Sequence, residues 1–228
     1  MRQLSYPIKR YELYELIESG EGSDVEFKRQ FSSPEKIAKE IIAFANTKGG
    51  YLLFGVDDNG DVVGVRSEKS ELDEIIHAAH YLCDPPVKII AENVHAGYGK
   101  DIVLIRVPES ANKPHTLIPF DSSGRLVRTG PKTGYVRVAD KSMQASKETL
   151  GVMRGNHPDA PGLRMGIGYN ERTLIEFLQK NERVTVNEYA DYINISRRRA
   201  SRIMINLVRA GIIFLHTGEK ADYYTLVK

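Results

Sequence analysis

Asp24-Val25-Glu26-Phe27-Lys28, then Ala43-Phe44-Ala45-Asn46-Thr47-Lys48-Gly49-Gly50, then Gly55-Val56-Asp57-Asp58-Asn59-Gly60, are the blocks whose reading decides the fold of this 228-residue chain. The first block alternates with the period of a strand, so Val25 and Phe27 face a core while Glu26 and Lys28 share the opposite face. Ser33-Pro34-Glu35 supplies a capping hydroxyl, a proline suited to the first helical position and an acid near the positive helix end, which predicts a helix start. Ile37, Ile41, Phe44 and Ala45 recur at i, i+4, i+7 and i+8 and give that helix an apolar stripe. Gly49-Gly50 permits the left-handed conformation that closes it. Residues 51–56 then read as a strand, and Asn59-Gly60 is a strong signal for a tight hairpin into 61–65.

Working outward, Leu13, Leu16 and Ile17 share one helical face, which predicts a helix over 11–19 ending at Gly20. A further helix is expected over 70–82, stopped by Pro85-Pro86, followed by strands at 87–94, 102–107, 126–128 and 135–138. Helices mixed with hairpin-linked strands predict an α+β fold, two layers with helices against a mixed sheet. Residues 151–168 contain five glycines and two prolines with little periodicity and read as a linker. Beyond it, Leu174, Ile175 and Leu178 mark one helix, 187–192 a second, and 197–210 a third, capped by Ser196 and stopped by Gly211. Strands at 211–215 and 223–227 flank the turn-like His216-Thr217-Gly218-Glu219. The expected organisation is therefore a first domain at 1–150, a linker at 151–168 and a small second domain at 169–228.

Composition narrows the class. At 41% hydrophobic and 27% charged residues the chain can bury a real core, and a net charge of +2 means that any basic surface must arise from local clustering. The first residues are polar and charged, and no apolar stretch approaches the roughly 18 residues of a membrane span. The expectation is a cytoplasmic protein with no membrane partner. A single cysteine, Cys83, excludes an internal disulfide and a four-cysteine zinc site.

The three opening blocks, in that order, resemble the signature of the Schlafen AlbA-type domain, formerly labelled a divergent AAA domain, over about 13–146. The resemblance implies a two-layer AlbA-like domain in a nucleic-acid-associated protein. It also implies a carboxylate set, Glu21, Glu26 and Asp58, standing where Schlafen ribonucleases carry theirs; hard oxygen ligands of this kind hold magnesium or manganese, which polarises a phosphodiester and activates water. The residues themselves leave a second reading open, in which Glu26 pairs with Lys28, Asp58 is a turn residue before Asn59-Gly60, and Glu21 is a solvated loop residue. The family's arginine-valine-glycine-serine-like segment stands here as Arg137-Val138-Ala139-Asp140. No phosphate-binding loop with its lysine and hydroxyl residue occurs; Gly99-Lys100-Asp101 lacks both the glycine spacing and the hydroxyl. His77, His80 and Cys83 recur every three residues, but without a fourth ligand they read as packing or exposed residues rather than a zinc site.

Three helices followed by a hairpin resemble a winged helix-turn-helix. The third helix holds Arg197, Arg198, Arg199, Arg202 and Arg209 and no acid. Positive side chains at a helix start oppose the favourable placement of charge on the helix dipole, which points to an external anion. DNA phosphate is the expected one, with Arg197, Arg198, Arg199 and Arg202 on the groove-entering helix and Lys220 on the wing. The reading is a DNA-binding transcriptional regulator without cofactor, acting as a homodimer, with RNA as a second partner the resemblance allows. Two alternatives stand beside it: a magnesium- or manganese-dependent nuclease working through Glu21, Glu26 and Asp58, and a protein-interaction module.

Overall fold

The computed structural model describes residues 4–121, 123–127 and 129–227. The chain divides into two units, Met1–Gln144 and Ala145–Lys228. The first contains α1 (Arg10–Glu18), β1 (Val25–Lys28), α2 (Pro34–Asn46), β2 (Gly50–Phe54), α3 (Glu68–His77) running on through a π-helical turn (Ala78–Leu82), β3 (Cys83–Asp84), β4 (Ile90–Gly97), β5 (Lys100–Val107), β6 (Thr116–Leu117), β7 (Tyr135–Val138) and β8 (Lys141–Gln144). Its main sheet has the order β1-β2-β5-β4. β1 runs parallel to β2, and the other pairs are antiparallel, so the sheet is mixed as expected. A parallel pair needs a crossover, and α2 supplies it. Ser33 caps α2 by accepting a hydrogen bond from the Lys36 amide at 3.3 Å, with Pro34 in the first turn.

Strand alternation decides the layering. Val25, Phe27, Tyr51 and Leu53 lie in one cluster with Leu13, Leu16 and Ile17 of α1. Leu52, Phe54, Val103 and Ile105 lie in another with Ile37, Ile41 and Phe44 of α2 and Ile75 of α3. The sheet is thus covered on both faces, three layers where the sequence predicts two. All residues of β2 are buried, and a strand apolar on both faces needs cover on both sides.

The expected hairpin after β2 is shorter than predicted: a turn over 57–60 is closed by Gly60 N donating to the Asp57 carbonyl at 2.8 Å, with a single bridge between Val56 and Val62. The strand expected at 126–128 is reduced to one bridge between Leu126 and Phe120, and Arg128 lies outside the described residues, as do the chain-terminal ends of the expected domains, Met1 and Lys228. No helix of the described residues is long and apolar enough to cross a membrane.

The second unit contains α4 (Lys147–Gly155), α5 (Tyr169–Lys180), α6 (Val186–Tyr192), α7 (Arg197–Arg209), β9 (Ile213–His216) and β10 (Tyr223–Leu226), the last two paired antiparallel. Leu174, Leu178, Tyr189, Ala200, Met204, Leu207, Ile213 and Tyr224 form its core. The boundary differs from the expected linker at 151–168. It falls between Gln144 and Ala145, and Gly151 and Gly155 sit inside α4. Those two glycines, one helical turn apart, let α4 approach α7: a Cβ on Gly151 would lie 2.7 Å from Ile205 Cδ1, and one on Gly155 2.4 Å from Arg209 Cδ. Residues 156–168 carry neither helix nor strand.

Candidate functional site

α7 is amphipathic in the strict sense. Ala200, Ile203, Met204 and Leu207 are buried, while Arg197, Arg198, Arg199 and Arg202 are exposed. Ser196 caps the helix, its hydroxyl accepting from the Arg199 amide at 3.3 Å, so the cluster begins at a defined first turn. No acidic residue stands in that turn, and none of the four arginines forms a salt bridge among the described residues. Their charges add to the positive helix end instead of offsetting it, which leaves a site of strong positive potential. Arg209 is different: it is half-buried and donates through Nη2 to the Pro161 carbonyl at 3.1 Å. Lys220 is exposed in the connection between β9 and β10.

The hairpin also carries an aromatic cluster, in which His216, expected in the turn, ends β9 instead. Tyr223 stands opposite His216 in the register, and their rings stack at 4.7 Å and 6°. The Arg183 guanidinium lies 5.3 Å from the Tyr223 ring centroid. Phe214, two residues from His216 and so on the same strand face, is exposed. The alternation Phe214, His216 was the available signal, but it becomes a cluster only once the hairpin register places Tyr223 opposite.

The three carboxylates in the first unit have separate tasks. Glu21 Oε1 accepts from the Phe27 amide at 2.8 Å, tying the preceding loop to β1. Glu26 pairs with Lys28 through one oxygen and with Arg137 Nη1 through the other, at 3.0 Å. Asp58 is exposed in the turn after β2, where its neighbour Asp57 takes the Arg29 guanidinium at 2.6 Å. Among the described residues no group of three or more His, Cys, Asp and Glu side chains is placed to hold a metal ion, so Glu21, Glu26 and Asp58 are not brought together.

The structure instead assembles Glu26 with Glu40 of α2 around Arg137 of β7. Arg137 Nη1 donates to Glu26 Oε2 at 3.0 Å, Glu40 Oε2 at 3.1 Å and Ser142 Oγ at 3.1 Å. Nη2 donates to the Gly22 carbonyl at 2.6 Å and the Asp140 carbonyl at 2.9 Å, and the guanidinium lies 4.7 Å from the Phe44 ring centroid. Side-chain exposures of 1% for Arg137, 12% for Glu26 and 19% for Glu40 make this a largely dry ion cluster. Burial, then the Glu26 charge, raise the Glu40 carboxyl above its ordinary range, against the Ser142 hydroxyl, Lys28 and Arg137, which lower it. With both Nη groups engaged inward, Arg137 braces the β7–β8 hairpin rather than presenting a charge to solvent. Glu40 lies in the middle of α2 and carries no motif, so sequence spacing could not find it.

The His77, His80 and Cys83 series is dispersed. Cys83 is buried, with burial pushing its thiol up to about 12, and its Sγ–H faces the Ala78 carbonyl at 3.5 Å. His77 packs on the Tyr81 ring at 5.0 Å, and His80 is exposed.

A family model described as Schlafen, AlbA_2 matches residues 21–146. Among solved structures, the N-terminal domain of a putative ATP-dependent DNA helicase RecG-related protein from Nitrosomonas europaea is 22% identical, with a TM-score of 0.38, over 64% of this chain and 94% of that one. The DIP2311 protein from Corynebacterium diphtheriae is 21% identical, with a TM-score of 0.38, over 61% of this chain, and the match spans only 25% of that protein's chain.

Proposed function

This chain belongs to the Schlafen, AlbA_2 family, and we propose from that premise that it binds nucleic acid, with the second unit acting as a winged helix-turn-helix on duplex DNA and the whole as a transcriptional regulator. The observation that carries the reading is the start of α7, where four exposed arginines stand on a capped, acid-free turn and form no salt bridge among the described residues. In this geometry α7 enters the major groove. Arg197, Arg198, Arg199 and Arg202 divide between phosphate contacts, which position the helix, and guanine edges, which an arginine engages bidentately. Lys220 reaches a flanking phosphate from the hairpin. The protein works in the cytoplasm as a homodimer, because paired recognition helices on two half-sites gain both affinity and register. The AlbA-like unit supplies a second nucleic-acid surface or the dimer contact.

The test is duplex DNA binding by fluorescence anisotropy across a salt series. Counterion release makes log affinity fall linearly with log salt, with a slope of about 0.9 per neutralised phosphate. Replacing Arg197, Arg198 and Arg199 together by alanine is expected to lower that slope by roughly two to three units and to weaken binding most at low salt. An unchanged slope in the triple variant overturns the assignment.

A further inference from the structure

Away from the arginine-rich start of α7, the second unit contains a cleft of about 880 Å³ between the ends of α4 and α7 and the irregular segment after α4. We propose that it is a binding site for a nucleoside phosphate. Arg154, Arg164 and Arg209 all line it, and no acidic residue among the described residues does. Arg154 closes α4 and Arg209 closes α7, so part of this charge answers the negative helix ends. Two helix C-termini contribute only about half a negative charge each, against three guanidinium groups, so the cleft keeps an excess of about two positive charges. None of the three arginines forms a salt bridge among the described residues, and Arg209 Nε is buried with no hydrogen-bond acceptor. An anion with several oxygens offsets the mutual repulsion of the arginines, since guanidinium groups pair bidentately with phosphate.

The rest of the lining selects what the phosphate is attached to. Gly162 leaves backbone uncovered, while Pro161 and Leu163 provide apolar surface, and Asn206 a neutral amide. This suits a flat ring beside a charged group, and the volume falls within the roughly 300–1,000 Å³ of small-molecule sites.

Calorimetric titration of the full chain with ADP, pyrophosphate, adenosine and a short DNA duplex tests the proposal. ADP is expected to bind more tightly than pyrophosphate, and adenosine not to bind. Arg154→Ala with Arg164→Ala should weaken ADP by on the order of 100-fold, the loss of two charge-assisted hydrogen bonds. Gly162→Glu should weaken it comparably without disturbing the fold, because a Cβ there meets nothing within 4 Å, and thermal melting checks that. The proposal is overturned if ADP gives no heat at millimolar concentration, if binding survives in both variants, if pyrophosphate binds as tightly as ADP, or if the duplex displaces ADP.

Discussion

Replacing Arg137 by methionine keeps much of the volume of its buried stem but removes the charge that Glu26 and Glu40 share. Both carboxylates then face each other in a site where their side chains are only 12% and 19% exposed. Breaking a buried ion pair by deleting one partner costs about 3–5 kcal/mol, because the remaining charge is stranded. Here two carbonyls, of Gly22 and Asp140, also lose their donor. Lys28 stays paired with Glu26 and offsets part of this, so the lower half of that range is expected. The assay is hydrogen exchange with mass spectrometry on the full chain, where peptides of β1, α2 and β7 should lose roughly two to three orders of magnitude of protection while residues 169–227 keep theirs. The sign with pH is also determined. Arg137 lowers the Glu40 carboxyl, so its loss raises that group further, and protonation on acidification relieves the repulsion. The defect should thus be smaller at pH 5 than at pH 7, and Glu40→Gln in the Arg137→Met background should restore part of the loss. A cost under 1 kcal/mol, or one that is independent of pH and unrelieved by Glu40→Gln, refutes the reasoning.

Gly50→Ala should be among the most damaging single methyl additions: the new Cβ would lie 2.3 Å from two Phe44 ring carbons and 2.9 Å from the Asp24 carbonyl oxygen. With the ring held under Arg137, a loss of about 1–3 kcal/mol in urea unfolding is expected, and an unchanged midpoint would contradict it. Cys83, buried and with its thiol raised to about 12, should ignore a disulfide reagent at neutral pH until the chain is unfolded; rapid stoichiometric reaction of the native protein would contradict its placement. His115, buried with Nδ1 donating to the Pro85 carbonyl at 2.7 Å, is held below its ordinary 6.5 chiefly by burial. The unfolded chain binds that proton more readily, so this contribution to stability is full above pH 6.5 and lost on acidification through the lower folded value, whereas the raised Glu40 and Glu71 carboxyls act in the opposite direction. His115→Gln should flatten the acid-side slope of the stability profile, and an identical slope would remove His115 as its source.

What the sequence determined by itself were the features written in local chemistry. The Ser33-Pro34 start of α2, the Val25/Phe27 parity of β1, the turn at Asn59-Gly60 and the Ser196-capped arginine helix each depend on neighbours within a turn or a strand repeat, and each stands where its residues predicted. The family blocks were legible for the same reason, being short runs at moderate spacing. Tertiary structure decided what depends on which surfaces meet. Two apolar faces on β2 and β5 drew α1 over the second side of the sheet, making three layers. The glycines at 151 and 155 look like linker residues until α7 comes to lie against them, because the same missing side chain that loosens a free segment permits close helix approach in a packed one. The carboxylates show the limit most plainly. The family resemblance placed Glu21, Glu26 and Asp58 in one candidate set, yet Glu26 finds Glu40 and Arg137, because electrostatic partners are chosen by distance in space, and a strand, a helix and a distant hairpin converge only in the folded chain.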